Sequence, residues 1–129
     1  MMESDFLELP WHDSVILNIN IDRSNPGEVD ELVLKVDWPE GNQSFLRFVK
    51  CYWILLQMNM GFNALESVLT ADHMVESETL SEVKQVWKGM GRDLEGLNHF
   101  IIETNTTAGK IEIICKQLEI TAVGEPIKE

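Results

Sequence analysis

From Ser14 to Asp22, hydrophobic and polar positions alternate. Val15, Leu17, Ile19 and Ile21 share one parity, and Ile16, Asn18, Asn20 and Asp22 the other. A period of two marks a strand with one buried face, so the pattern predicts a half-buried strand. Arg23-Ser24-Asn25-Pro26-Gly27 breaks it with turn residues. Leu32, Leu34, Val36 and Trp38 then share a face opposite Lys35 and Asp37, and Pro39-Glu40-Gly41-Asn42 follows as a second turn. Together these predict an antiparallel hairpin with a long loop.

The stretch Ser44 to Met60 is apolar at most positions and long for a single strand. Leu46, Phe48, Tyr52, Ile54, Leu56, Met58 and Met60 share one parity, but Lys50 falls on it too. A lysine on an inward face predicts a bend or bulge near Val49 to Cys51. A helix over Phe48 to Met58 is the competing reading. Parity and β-rich flanks favour strands there. After a turn at Gly61-Phe62-Asn63, Ala64 to Met74 fits a strand through Ser67, Leu69 and Ala71, or a helical face through Ala64, Leu65, Val68 and Leu69, and a short strand is chosen.

The clearest helix begins at Thr79. Thr79 and Glu82 have capping-box spacing, and Leu80, Val83, Val86, Trp87 and Met90 make an apolar stripe. Gly89 and Gly91 end it. Leu97 to Thr104 and Lys110 to Ile120 read as two further strands around a turn at Asn105 to Gly109. Ile111, Ile113 and Cys115 share a parity that Leu118 and Ile120 do not, which predicts a bulge near Lys116 or Gln117. The sum is an α+β fold: a mainly antiparallel sheet of about five to six strands with one principal helix packed on it. The whole chain, 1–129, fits one domain, with 1–10 and 124–129 expected to be loosely ordered.

Charge changes this picture. The 129 residues carry 22 acids against 10 bases, a formal charge of −12. Nucleic acid is thereby disfavoured as a partner, because phosphate binding relies on Lys and Arg. An anionic membrane surface is disfavoured for the same reason. A basic protein is favoured, since a long-range field of opposite sign speeds encounter. The acidity concentrates in two places. Glu28, Asp30, Glu31, Asp37 and Glu40 surround the first hairpin, and Glu66, Asp72, Glu76, Glu78 and Glu82 fall in or beside residues 51–83, which contain no Lys or Arg. The N-terminus carries acids where an export signal needs positive charge, so a cytoplasmic location is expected.

Candidate chemistry is sparse. Gly89-x-Gly91 lacks the strand and the GK[ST] of a phosphate loop. Asp22 to Val33 resembles a calcium loop at its first, third and sixth positions. Pro26 occupies the fifth and Val33 the twelfth, where glutamate is needed. His12, Asp13 and His73 form a candidate metal or acid–base group only if the fold gathers them. Cys51 and Cys115 lack metal or redox spacing and read as buried thiols. No catalytic residue, cofactor or metal ligand set is therefore assigned. Trp11 and His12 read as sheet-end packing or, alternatively, as interface anchors.

Trp11-His12-Asp13-Ser14, followed by Ile19-x-Ile21-Asp22-Arg23 and Val36-Asp37-Trp38-Pro39, resembles small bacterial proteins grouped with immunity proteins of polymorphic toxin systems. Asn105-Thr106-Thr107 before a β-rich segment also fits. The resemblance implies a cytoplasmic protein that binds and neutralises a cognate toxin. The acidic charge favours a basic one, and monomer and homodimer both stay open. Two alternatives stand beside it. One is a ligand-binding domain or enzyme with a pocket between sheet and helix, where Trp53, Trp87, His99 and carboxylates converge. The other is a structural subunit that pairs with itself.

Overall fold

The computed structural model describes residues 3–25, 29–58, 66–105 and 109–124. Six strands, β1 (Val15–Asn25), β2 (Val29–Asp37), β3 (Gln43–Gln57), β4 (Glu66–Met74), β5 (Asn98–Thr104) and β6 (Lys110–Ala122), form a closed barrel in the order β1-β2-β3-β6-β5-β4. Every pairing is antiparallel. The chain thus makes two three-stranded meanders joined at both edges. The β3–β6 seam is long, running from Ser44↔Ala122 to Gln57↔Lys110. The β4–β1 seam is short, with Val15↔Ser67 and Ile16↔Glu66 as its paired positions. An antiparallel sheet with a helix was expected. Closure into a barrel was not, because it depends on edge pairings between strands far apart in sequence.

The barrel interior is filled by side chains. Leu32, Leu34, Val36 and Trp38 are buried, as their shared parity required, with Leu46, Phe48, Phe100, Ile111, Ile113 and Leu118. Strand β1 departs from its expected face. A register shift between Ile16 and Asn18 carries Ile16 and Ile19 to the core, while Leu17 and Ile21 are exposed. The strand also runs through Arg23 and Ser24 to Asn25, where a turn was expected, because Asn25 still pairs with Val29. The turn residues Pro26 and Gly27, together with Glu28, lie outside the described residues, as do Gly61-Phe62-Asn63 and Ala64-Leu65. Strands β3 and β4 resolve the ambiguity of 48–74 in favour of strand over Phe48–Gln57 and Glu66–Met74.

Segment 3–10, expected to be loose, holds helix α1 (Glu3–Leu7) and a fully buried Phe6. Phe6 packs on Trp11 and Phe100 at ring-centroid distances of 4.9 and 4.7 Å. Trp11 Nε1–H donates to the Phe6 carbonyl at 2.8 Å. An aromatic anchor of this kind is worth several kcal/mol, which outweighs the terminal fraying that position alone suggests.

Helix α2 (Glu78–Gly89) lies on the outside of the barrel. Its cap is Ser77, not Thr79: the Ser77 hydroxyl accepts the Leu80 N–H at 3.0 Å from an extended backbone. Thr79 already lies inside the helix, whereas Ser77 has the extended backbone of a cap. Leu80 and Val83 are buried against Ile114, Leu94 and Leu97, with Tyr52, Trp53 and Trp87 packed alongside. Val86 and Met90, expected on this stripe, are exposed. The buried arc is narrow because the convex barrel wall meets the helix along a line.

Candidate binding cleft

The cleft begins with a backbone irregularity. Lys50 has φ +58°, a left-handed conformation that L side chains disfavour. Phe48 and Cys51 both face the core although three residues apart, and so do Cys115 and Leu118 on the paired strand. The parity change expected in β6 is therefore a bend shared by both strands at Lys50 and Lys116. A true register shift follows in β3 alone, between Cys51↔Cys115 and Trp53↔Ile114. Tyr52 is the extra residue, so Tyr52 and Trp53 both turn outward while Ile54 returns to the core. This overturns the inward assignment of Tyr52 and moves the expected bulge slightly downstream.

Tyr52 and Trp53 meet Trp87 of α2, with the Tyr52 and Trp87 rings edge-to-face at 5.4 Å. Around this aromatic wall lie three adjoining spaces. A cavity of 490 Å³ runs past Ile21, Ile54 and Leu56, with Arg23, Asp30 and Glu31 at its rim. One of 300 Å³ is lined by Asp30, Lys50, Cys51, Tyr52, Trp87, Arg92 and Lys116. A groove of 260 Å³ separates Tyr52 and Trp53 from Thr79, Glu82 and Val86. Arg92 lies 5.8 Å from the Tyr52 ring and 6.0 Å from the Trp87 ring, within cation–π range.

Beneath Trp53, α2 is tied to the barrel by a buried polar chain. Ser77 Oγ is 2.8 Å from His99 Nδ1, and His99 Nε2 is 2.8 Å from Glu112 Oε1. Lys110 Nζ lies 3.2 Å from Glu112 Oε2. The consistent assignment has His99 Nε2–H donating to the carboxylate and Ser77 O–H donating to Nδ1. The order resembles a nucleophile–base–acid relay. However, the Ser77 oxygen is already engaged by the Leu80 N–H, His99 is 2% exposed, and neither residue lines any of the three spaces. The chain fixes α2, and through it the position of Trp87.

No protein-family model matches the chain. No curated protein matches it either.

The sequence-picked acids fall into two kinds. Asp30 and Glu31 are engaged: Arg23 Nε is 3.5 Å from Asp30, and Arg47 bridges Glu31 at 2.8 Å and Glu119 at 3.1 Å. Hydrogen bonding to Glu31 raises the Arg47 pKa further above its ordinary value. Glu66 is half-buried at the start of β4 and Asp37 half-buried at the end of β2, while Glu40 is exposed in the turn beyond it. The Asp72 carboxylate accepts the His73 N–H at 2.9 Å. Glu76, Glu78 and Glu82 are exposed together, in α2 and its lead-in. Glu28 lies outside the described residues.

Trp11 is 5% exposed and packs on Phe6 and Trp38, so it offers no contact surface. The WHDS string is a turn in which Asp13 takes φ +67° and the Ser14 N–H donates to the Trp11 carbonyl. His12 is exposed, with Nδ1 3.4 Å from the Leu69 carbonyl, whereas His73 is buried with Nε2 2.9 Å from Asn98 Oδ1. His12 Nε2 lies 3.7 Å from Asp13 Oδ2 at the surface, but His73 does not join them, and no group of three metal-ligating side chains occurs among the described residues. Cys51 and Cys115 are buried free thiols facing each other across β3 and β6. The proximity of Cys51 and burial together push the Cys115 thiol far above its ordinary pKa.

Sequence reasoning missed Lys50, Arg92 and Lys116 as neighbours. The misfit of Lys50 with its strand parity was the available signal.

Proposed function

We propose that the chain is a protein-binding domain that neutralises a basic partner, in the manner of an immunity protein of a toxin system. The outer flank of α2 carries this reading. Glu78 and Glu82 stand one turn apart and continue into exposed Val86, with exposed Val75, Glu76 and Met90 at the two ends of the helix. Apolar contact area with carboxylates gathered at the start of the helix suits a partner whose own interface is apolar and basic. The formal charge of −12 adds a field that accelerates encounter with such a partner. The resemblance of the WHDS and first-hairpin strings to immunity proteins supports the toxin as partner class.

The test is titration against a candidate basic toxin at two salt concentrations. Tight binding at low salt should weaken as salt rises, and Glu78→Lys with Glu82→Lys should slow association by about tenfold or more. A complex indifferent to both the salt and the double substitution would remove α2 as the docking face. Absence of any complex at low salt would remove that toxin as the partner.

A further inference from the structure

We propose that the polar end of the cleft binds the oxyanion of a small aromatic ligand, a phosphate or carboxylate joined to a planar ring. This site lies at the Lys50 end of the cleft, and the inference does not depend on protein binding at the acidic flank of α2.

The chain has only 10 basic residues, yet Lys50, Arg92 and Lys116 line one 300 Å³ cavity. Arg23, Arg47 and Lys110 are paired with carboxylates. Among the described residues, none of the three in the cavity makes a salt bridge. The one carboxylate in the lining is Asp30, which is held by Arg23 at 3.5 Å. The cavity therefore gathers three cations around one carboxylate on a strongly acidic protein. Two unfavourable choices create this arrangement. Lys50 occupies a left-handed backbone conformation, and it stands across the ladder from Lys116, between the pairs Val49↔Gln117 and Cys51↔Cys115. Like charges opposite one another in a sheet are destabilising. Strain that survives at a cavity wall points to function there.

The remaining walls define the ligand. Tyr52 and Trp87 present rings, and the bulge that ejects Tyr52 sits beside Lys50. Arg92 lies within cation–π range of both rings, which places its guanidinium donors beside them, where an oxyanion joined to a stacked ring would sit. The adjoining 490 Å³ space along Trp53, Ile54 and Leu56 has room for an apolar ring. Together the parts match the usual ligand site, an apolar pocket with a few convergent polar groups.

Trp53 and Trp87 supply the readout. The full chain is titrated with phenyl phosphate, benzoate, inorganic phosphate and benzylamine while tryptophan emission is followed. Phenyl phosphate or benzoate should give a saturable change, and whichever binds tighter identifies the oxyanion. Inorganic phosphate should bind about fivefold or more weakly, because it forfeits ring stacking. Lys116→Ala should weaken the preferred probe about tenfold. Lys50→Gly should do the same without lowering the melting temperature, since glycine suits φ +58°. That variant separates loss of binding from loss of fold. Glu76→Gln with Glu78→Gln, exposed on the acidic flank and outside all three spaces, should leave probe affinity unchanged, so this site and the α2 face fail independently. The inference is overturned if benzylamine binds as tightly as the anions, if no probe saturates by about 20 mM, or if Lys50→Gly and Lys116→Ala bind like the unmodified protein.

Discussion

Ser77 has two roles at once, and its replacement measures both. Its oxygen accepts the Leu80 N–H at 3.0 Å and meets His99 Nδ1 at 2.8 Å. Ser77→Ala removes the cap of α2, which costs about 1 kcal/mol. It also leaves Nδ1 of a ring only 2% exposed without its partner, a desolvation penalty of about 1–3 kcal/mol. The sum is about 2–4 kcal/mol. With unfolding entropy near 2.1 cal/mol/K per residue, a chain of this length should lose roughly 7–15 °C in melting temperature. Thermal or urea denaturation followed by circular dichroism reads it. Ser77→Thr keeps the oxygen and should stay within about 1 kcal/mol of the parent. The decisive comparison is a double-mutant cycle. With His99→Leu in place, Ser77→Ala should cost only the cap, so the coupling between the two positions is about 1–3 kcal/mol. An identical cost in both backgrounds would show that the serine–histidine contact carries no energy and that α2 is held by Leu80 and Val83 alone.

Two further outcomes follow from geometry. Phe6→Ala should destabilise the protein by about 3–5 kcal/mol, because the ring is fully buried against Trp11 and Phe100; a change under about 1 kcal/mol in chemical denaturation would mean that α1 does not anchor the N-terminal segment. Asp22 should titrate below its ordinary value of 3.8, because the Ser24 N–H and then the Ser24 hydroxyl donate to its carboxylate. A lowered pKa stabilises the fold above the unfolded value, and that contribution is lost as pH falls through the folded one. Carboxyl titration by NMR should show Ser24→Ala moving Asp22 back towards 3.8, and an unmoved midpoint would discard the hydroxyl contact.

The strand pattern was legible wherever one face was buried and the other wet. Leu32, Leu34, Val36 and Trp38 are the clearest case, and the chain turns them all inward. Lys50 also announced itself, since a lysine on an apolar parity forces the backbone to deviate. What the deviation achieves was not legible. Its meaning depends on Lys116, sixty-six positions later in sequence and opposite in space, and on Arg92, which no periodicity relates to either. Trp11 read first as packing at the sheet end and second as an interface anchor. The buried ring fits the first, and the Phe6 carbonyl, by accepting its indole N–H, lets it go inside. Closure of the barrel was invisible because β4–β1 pairing is set by where strands end. The capping-box spacing at Thr79 pointed two residues too far along: the cap is Ser77, which also meets His99, a contact that no local spacing announces.

The unequal seams of the barrel bear on how molecules of this protein meet one another. Where β4 closes on β1, two paired positions are reinforced by the Asp13 N–H to Val68 carbonyl bond and the Val68 N–H to Ser14 carbonyl bond. Parting there breaks few hydrogen bonds and leaves each three-stranded meander whole. It bares two strand edges at once, and an open edge is a template for a second chain. The seam that completes the barrel is thus where it should open first, and amides at Asp13 and Val68 should lose hydrogen-exchange protection before those of the β3–β6 ladder.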